Sequence, residues 1–212
     1  MELFFSPLAC SMASRITLHE AGAAATFVEV DAKTKRTLDS ADYHSINPLG
    51  LVPALRLDDG HMLFENAAIL QYLADRHPQA ALAPAGGLAR SALQQWLSFI
   101  GTELHKALFI PLFDRTLPAA VRDKTAQTGA RRLDLLERHL GVHATLLERW
   151  SVADAYLTTV LNWHVATGVD LARWPAVQAY FERMCARPAT ARALAEERAL
   201  YAEELRRQRA AA

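Results

Sequence analysis

Hydrophobic and polar positions change rhythm along this chain near residue 78. Before that point, short runs suited to strands alternate with helical ones. Glu2 to Phe5 is a brief apolar run ended by Ser6-Pro7. Met12 to Ala21 has helical character and is closed by Gly22. Phe27 to Val30 is rich in β-forming residues. Ala54 to Leu57 and His61 to Phe64 flank Asp58-Asp59-Gly60. Those turn residues tolerate positive φ, so the pair reads as a hairpin. Asn66 to Arg76 reads as a helix with Ile69, Leu70 and Leu73 on one side, and a helical stretch near Asp39 to Ile46 is less defined. The order β-α-β followed by β-β-α predicts a mixed four-stranded sheet. Its first two strands would be parallel across a right-handed crossover.

Beyond residue 78 helical spacing dominates. Leu93, Trp96, Leu97, Ile100, Leu104 and Leu108 recur on one helical face. Further helices are expected from Pro118 towards Leu140, from near Ser151, from Trp174-Pro175, and after Arg187-Pro188 towards Leu205. The tail Arg206-Arg207-Gln208-Arg209 is expected to fray. Pro78 to Gly87, rich in Ala, Pro and Gly, reads as a linker. The expected division is therefore an α/β domain over residues 1–77, a linker over 78–87 and an all-helical domain over 88–212.

Composition narrows the function classes. The 212 residues carry zero formal net charge, so no basic excess recruits nucleic acid or an anionic membrane. No apolar run approaches the roughly 18 residues of a membrane span, and the N-terminus lacks the pattern of a secretory signal. A cytoplasmic protein is expected. The two cysteines, Cys10 and Cys185, lie too far apart in sequence to suggest a disulfide framework or a metal-ligand cluster. Cys185, on an apolar-rich helix beside Met184, is expected to be buried or inert.

Candidate chemistry gathers in five segments. Ser6-Pro7-Leu8-Ala9-Cys10-Ser11-Met12 joins the first strand to the first helix. A thiol at a helix N-terminus meets unpaired N–H groups and the positive end of the dipole, which favour the nucleophilic thiolate. The plainer alternative is a small buried residue. Ala13 stands where a resolving cysteine would be, so any exchange chemistry needs an external thiol, and glutathione is the obvious candidate. In Asn47-Pro48-Leu49-Gly50-Leu51-Val52-Pro53-Ala54, Pro53 opens a strand, either as a plain loop end or as a cis-proline turn whose Val52 backbone aligns an extended ligand. Glu65 and Asn66 begin a helix, as simple caps or as a grip on a carboxylate. Thr102-Glu103-Leu104-His105-Lys106 places His105 beside a helical apolar stripe, as a satisfied histidine or as a site residue. Ser151 and Asp154, three apart before an apolar run, form a capping box of structural purpose.

Taken together these segments resemble a known family. Ser-Pro-x-Ala-Cys-Ser, Asn-Pro-x-Gly-x-Val-Pro-Ala-Leu, Asp-Asp-Gly, Glu-Asn-Ala-Ala-Ile-x-Gln-Tyr-Leu-Ala-Asp, Thr-Glu-Leu-His-Lys and Ser-Val-Ala-Asp-Ala-Tyr-Leu run from residue 6 to 157 in the order and spacing of the cytosolic glutathione S-transferases. The similarity is greatest to their bacterial beta class. The resemblance implies the glutathione S-transferase fold, an α/β thioredoxin-like N-terminal domain plus an all-α C-terminal domain, in a homodimer with glutathione lying between the domains. It implies that Cys10 faces the glutathione sulfur, that Val52, before Pro53, pairs with the cysteinyl part, and that Glu65 and Asn66 hold the γ-glutamyl end. By the same resemblance Lys35 serves the glycyl end, and His105 and Lys106 reach in from the helical domain. Two positions depart from the family pattern: Asn66 stands where Ser is usual, and Ser98 where Asn is frequent. The stretch from Leu140 to Ser151 is also short for the family.

The implied activity is a glutathione transferase of the detoxification type. Glutathione serves as co-substrate, for conjugation to small electrophiles, for thiol–disulfide exchange through Cys10, or for both. Cys10, Ser11 and His105 are the candidate catalytic residues, with Ser11 a possible donor to the glutathione thiolate as in other classes of the family. Glu65 is expected in a semi-enclosed turn and Lys35 in a solvated one. Phe109, Ile110, Phe113 and Trp163 are either ordinary core or the lining of the second-substrate pocket. Alternatives are a non-catalytic binding protein on the same fold and a specialised dehalogenase or isomerase. No metal is called for.

Overall fold

The computed structural model describes residues 1–210. The chain forms two compact units, one built from residues 1–82 together with the chain from Arg187 onwards, the other from Ala83–Ala186. Each is described by itself.

The first unit holds a four-stranded sheet of order β2-β1-β3-β4. Strands β1 (Glu2–Phe5) and β2 (Thr26–Glu29) run parallel, pairing Leu3 with Phe27, and are joined by α1 (Met12–Glu20). Strands β3 (Ala54–Arg56) and β4 (Met62–Phe64) form the expected hairpin, and β3 lies antiparallel to β1. Helix α2 (Asn66–Arg76) follows. Alternation along the strands sends Leu3 and Leu55 to one face, where Leu18, Ile69 and Leu73 from the helices complete an apolar cluster. Phe4 and Ala54 point to the other face, where Tyr43 and Val30 cover them. The uncertain stretch near Asp39 to Ile46 contains a single 3₁₀ turn, Tyr43–Ser45, capped by the Asp42 side chain.

The last helix, α9 (Pro188–Ala210), departs from the expected division. It packs on α1, within the first unit rather than with the other helices. Side chains explain the redrawn boundary. Arg187 makes a paired contact with Glu20 at 2.9 and 3.0 Å, and Arg15 of α1 binds Glu197 of α9 at 2.9 Å. The tail expected to fray is helical to Ala210, because Arg207 pairs with the buried Glu29 and Lys33 Nζ donates to Gln208 at 2.8 Å.

The second unit is all-helical. Helix α3 (Gly87–Phe99) runs without interruption into a π-helical segment, Ile100–Phe109, and then into the short α4 (Ile110–Phe113). Helices α5 (Ala119–Leu140), α6 (Val152–Leu161), α7 (His164–Thr167) and α8 (Pro175–Cys185) complete it. At Gly129 of α5 an added Cβ would lie 2.2 Å from a Leu108 methyl, so the glycine lets α5 approach the π-helical segment closely. The short stretch after Leu140 is pinned by Asp154. Its carboxylate accepts from the Leu146 N–H at 3.0 Å, the Ser151 N–H at 2.9 Å and the Tyr180 hydroxyl at 2.9 Å. The capping box read from Ser151 and Asp154 is therefore present and extends to two further partners. No helix among the described residues is long and apolar enough to cross a membrane.

Candidate active site

The turn from Ser6 to Ser11 leaves β1 and enters α1. Two bonds fix its geometry: the Ser6 hydroxyl donates to Val30 O on the neighbouring strand end at 2.6 Å, and the Ala9 N–H to Ser6 O at 3.1 Å. Cys10 sits just before the helix, 8% exposed. Its thiol donates to the Val52 carbonyl at 3.2 Å. The segment expected to lie beside a ligand backbone is thus in contact with the thiol through that backbone.

Why Val52 stands there follows from the loop before it. Gly50 takes φ +61°, and a Cβ would meet the His44 ring at 2.8 Å, so only glycine fits. The Asn47 side chain caps the turn, accepting from the Leu49 N–H at 3.1 Å and donating to Leu51 O at 2.7 Å. The Tyr43 hydroxyl donates to the same carbonyl at 2.9 Å, and burial pushes its pKa well above the ordinary range. The Val52–Pro53 peptide is cis, the isomer left open by the sequence.

Asn66 is 6% exposed, and its side chain is engaged by the protein itself. Its Nδ2 donates to Cys10 O at 3.1 Å, and its Oδ1 accepts from the Ser14 hydroxyl at 3.1 Å. The side chain therefore ties the start of α2 to the Cys10 turn. Ser11 also takes part in the turn. It is fully buried, and its hydroxyl donates to Ser6 O at 3.3 Å, which braces the turn.

Glu65 is exposed and takes φ 66° and ψ 117°, a conformation that L-residues other than glycine rarely adopt. Lys35 also has positive φ, 55°, and is partly buried, its stem lying against Gly50. Burial thus ranks the two opposite to expectation: Lys35 is the more covered. Both positions lie in the first unit, Lys35 against Gly50 and Glu65 just before Asn66, and such strain concentrates where geometry serves function.

In the second unit His105 is 7% exposed, and its Nδ1 lies 2.8 Å from the Tyr156 hydroxyl. Its ring packs edge-on to Trp163 at 4.9 Å. Desolvation, aided by the neighbouring Lys106 charge, lowers its pKa to about 4, so the imidazole is neutral near pH 7. Lys106 and Ser98 are exposed. His105 and Lys106 both lie in the π-helical segment, a geometry frequent at functional sites. Phe109 is core, at 0% exposure, whereas Ile110 and Phe113 are 42% and 40% exposed and Phe113 stacks edge-on to Trp163 at 5.6 Å. Cys185 is partly exposed on α8 rather than buried.

Sequence patterns missed Glu197. It is fully buried, accepts the Leu8 N–H at 2.7 Å and the Arg15 Nε at 2.9 Å, and burial pushes its pKa up to about 7 against the opposing pull of Arg15. Arg15, 4% exposed, lies over the rings of Phe5 and Phe27 at 4.4 and 3.9 Å. The one signal available was Arg15 itself, a charge among apolar residues of α1 that needs a buried partner.

Comparison with known proteins agrees with this architecture. Residues 9–76 match the family model described as the glutathione S-transferase N-terminal domain, and residues 100–188 the one described as its C-terminal domain. Glutathione S-transferase GstA of Escherichia coli O157:H7 is 42% identical over 199 residues, covering 93% of this chain and 98% of that protein. Among solved structures, a ternary complex of BphK, a bacterial GST, superposes with TM-score 0.90 at 43% identity, covering 93% of this chain and 99% of its own. A sphingomonad glutathione S-transferase complexed with glutathione gives TM-score 0.89 at 42% identity, with 93% and 98% covered. A bacterial beta-class enzyme of Sphingomonas chungbukensis gives the same TM-score, identity and coverage. Identity of this order across nearly the whole length, with both domain models matched, makes this chain a member of the glutathione S-transferase family.

Proposed function

We propose that the protein binds glutathione at the first unit and uses it as co-substrate, with Cys10 as the reacting protein thiol. The observation that carries this reading is the Cys10 thiol at 3.2 Å from the Val52 carbonyl, in a turn braced on both sides. An extended peptide-like ligand aligned on the Val52 backbone would bring its own sulfur to Cys10. Glu65 and Lys35 supply opposite charges for the ammonium and carboxylate of such a ligand, and Lys106 and Ser98 are exposed polar groups of the helical unit. The relative solved with glutathione supports the choice of ligand.

Two reactions are open to this arrangement. In exchange, the Cys10 thiolate attacks the glutathione sulfur of a mixed disulfide between glutathione and a second small thiol. A Cys10–glutathione disulfide forms, the old S–S bond breaks, and the second sulfur leaves as thiolate. A free glutathione thiolate then attacks the glutathione sulfur, releasing oxidised glutathione and regenerating the Cys10 thiolate. In conjugation, bound glutathione thiolate displaces a leaving group from an electrophile, and the protein positions the sulfur. With Ala13 where a resolving cysteine would stand, and Cys185 in the other unit, exchange runs by the monothiol route. We place the protein in the cytoplasm and read it as a homodimer, by family likeness.

Intact-protein mass after incubation with oxidised glutathione tests the assignment. Wild type is expected to gain one glutathione, and Cys10→Ala none, while reversible glutathione binding persists. An adduct of equal yield on Cys10→Ala moves the reactive thiol elsewhere and overturns the reading.

A further inference from the structure

Leu8 is the weak point of the Cys10 turn. Its φ is 60°, a left-handed conformation unfavourable for a γ-branched residue with a Cβ. Pro7 before it offers no N–H. The backbone N–H groups of Ser6, Ala9 and Met12 find acceptors within five residues. The Leu8 N–H alone among these is held from far away in the sequence, by a side chain 189 residues distant.

That partner is built for the task. Glu197 has no exposed surface, and its two oxygens divide their work, Oε2 on the Leu8 N–H and Oε1 on Arg15. Arg15 is in turn clamped by Glu196 at 3.2 Å and by the rings of Phe5 and Phe27, the first of which ends β1. His19 binds Glu196 at 2.9 Å, and Arg192 binds it at 2.7 Å. The carboxyl group therefore has little freedom to move, and its Oε2 remains an acceptor for the Leu8 N–H.

We propose that Glu197, on the last helix, is a positioning residue for Cys10: by fixing Leu8 in its left-handed conformation it holds the thiol over the Val52 carbonyl. The inference rests on Cys10 being the reacting group. Cys10 is two residues from Leu8, so a turn that relaxes at Leu8 swings the sulfur away from Val52. Exchange with glutathione then slows because the geometry is lost. Alkylation by a small reagent quickens, because the 8% exposed sulfur is uncovered.

The test follows Cys10 and Cys185 separately by peptide mass during alkylation with iodoacetamide, which needs no glutathione, beside the kcat of disulfide exchange. In Glu197→Leu, Cys10 alkylation is expected to rise at least threefold and exchange kcat to fall at least tenfold, while Cys185, in the other unit, keeps its rate. Glu197→Gln retains an acceptor for the Leu8 N–H and should show a clearly smaller change in both. Leu8→Gly added to Glu197→Leu should recover much of the exchange rate, since glycine adopts positive φ without a lock. A Glu197→Leu protein that does not fold leaves Glu197→Gln and Leu8→Gly to decide: the proposal then requires that Leu8→Gly blunt the effect of Glu197→Gln. Unchanged Cys10 rates in a folded Glu197→Leu overturn it, as does acceleration of Cys185 in step with Cys10, which marks general loosening. If exchange is absent in every form, including wild type, the proposed function fails, and the alkylation rates still judge the lock.

Discussion

Replacing Asp154 with Ala tests how far a structural carboxylate can matter to this protein without touching its chemistry. The side chain is fully buried and collects four donors: the Ser151 N–H, the Ser151 hydroxyl, the Leu146 N–H and the Tyr180 hydroxyl, at 2.9, 3.1, 3.0 and 2.9 Å. Alanine leaves three or four of them buried without an acceptor, and each such donor costs about 1–3 kcal/mol. Against this, burial pushes the Asp154 carboxyl up from its ordinary range, so removing the charge recovers part of its desolvation. The net loss expected is about 3–5 kcal/mol, the sum over these stranded donors less the recovered desolvation. For a chain of this size about 2–4 °C accompanies each kcal/mol, so Tm should fall by about 10 °C. Urea unfolding followed by circular dichroism measures the loss. Tyr180→Phe supplies the internal check: alone it should destabilise by about 1 kcal/mol, and in the Asp154→Ala background by much less, because the acceptor is already gone. A loss under 1 kcal/mol for Asp154→Ala, or strict additivity of the pair, refutes the reasoning.

Three further outcomes are expected. Glu197 and His105 should give opposite pH dependences of stability. Glu197 keeps its proton to about pH 7 when folded, against 4.5 otherwise, so its stabilisation is complete below about 4.5 and lost as pH rises through 7. His105 is lowered from 6.5 to about 4, so its contribution is complete above about 6.5 and lost as pH falls through 4. Each spans at most about 3 kcal/mol. Melts at pH 5 and pH 8 should therefore show Glu197→Gln losing relative stability at pH 5, and no change in that difference would contradict the assignment. Gly129→Ala, which elsewhere in a helix stabilises, should here destabilise by about 1–3 kcal/mol through the 2.2 Å approach to Leu108. Leu108→Val should relieve part of it, and a more stable Gly129→Ala refutes the packing argument. Glu65→Gly should raise stability by up to about 1 kcal/mol by removing the strain at φ 66°. Titration calorimetry should show weaker glutathione binding by the same variant, and unchanged affinity would remove Glu65 from the site.

The fold was legible wherever local chemistry sufficed. Asp58-Asp59-Gly60 marked the hairpin because its turn needs permissive residues, and Ser151 with Asp154 marked a helix start because capping is a three-residue affair. The π-helical segment Ile100–Phe109 was not legible, since its apolar residues recur much as in an α-helix and the difference lies in backbone pairing. The last helix was found, but its allegiance was not. Arg187, Arg15 and Arg207 choose partners in the first unit, and no spacing rule links residue 20 to 187 or residue 29 to 207.

The candidate site divides along the same line, and the division says something about what a motif encodes. Asn47 and Gly50 were readable because each is demanded by backbone geometry within a few residues of itself, and Cys10 because it stands at a helix start. Ser11 and Asn66 belong to equally recognisable motifs, yet their side chains bond to the protein's own backbone, to Ser6 O and Cys10 O. A motif therefore reports that a turn must be held in one shape, and does not separate the residues that meet a ligand from those that hold the turn. Glu197 holds the same turn from outside any motif, because a single buried carboxylate can satisfy Leu8 from any element that packs on α1. What selects it is the presence of Arg15 on the buried face of α1: a guanidinium there needs a polar partner, and a carboxyl group brought in for that purpose has a second oxygen to offer the strained Leu8 N–H two residues before Cys10.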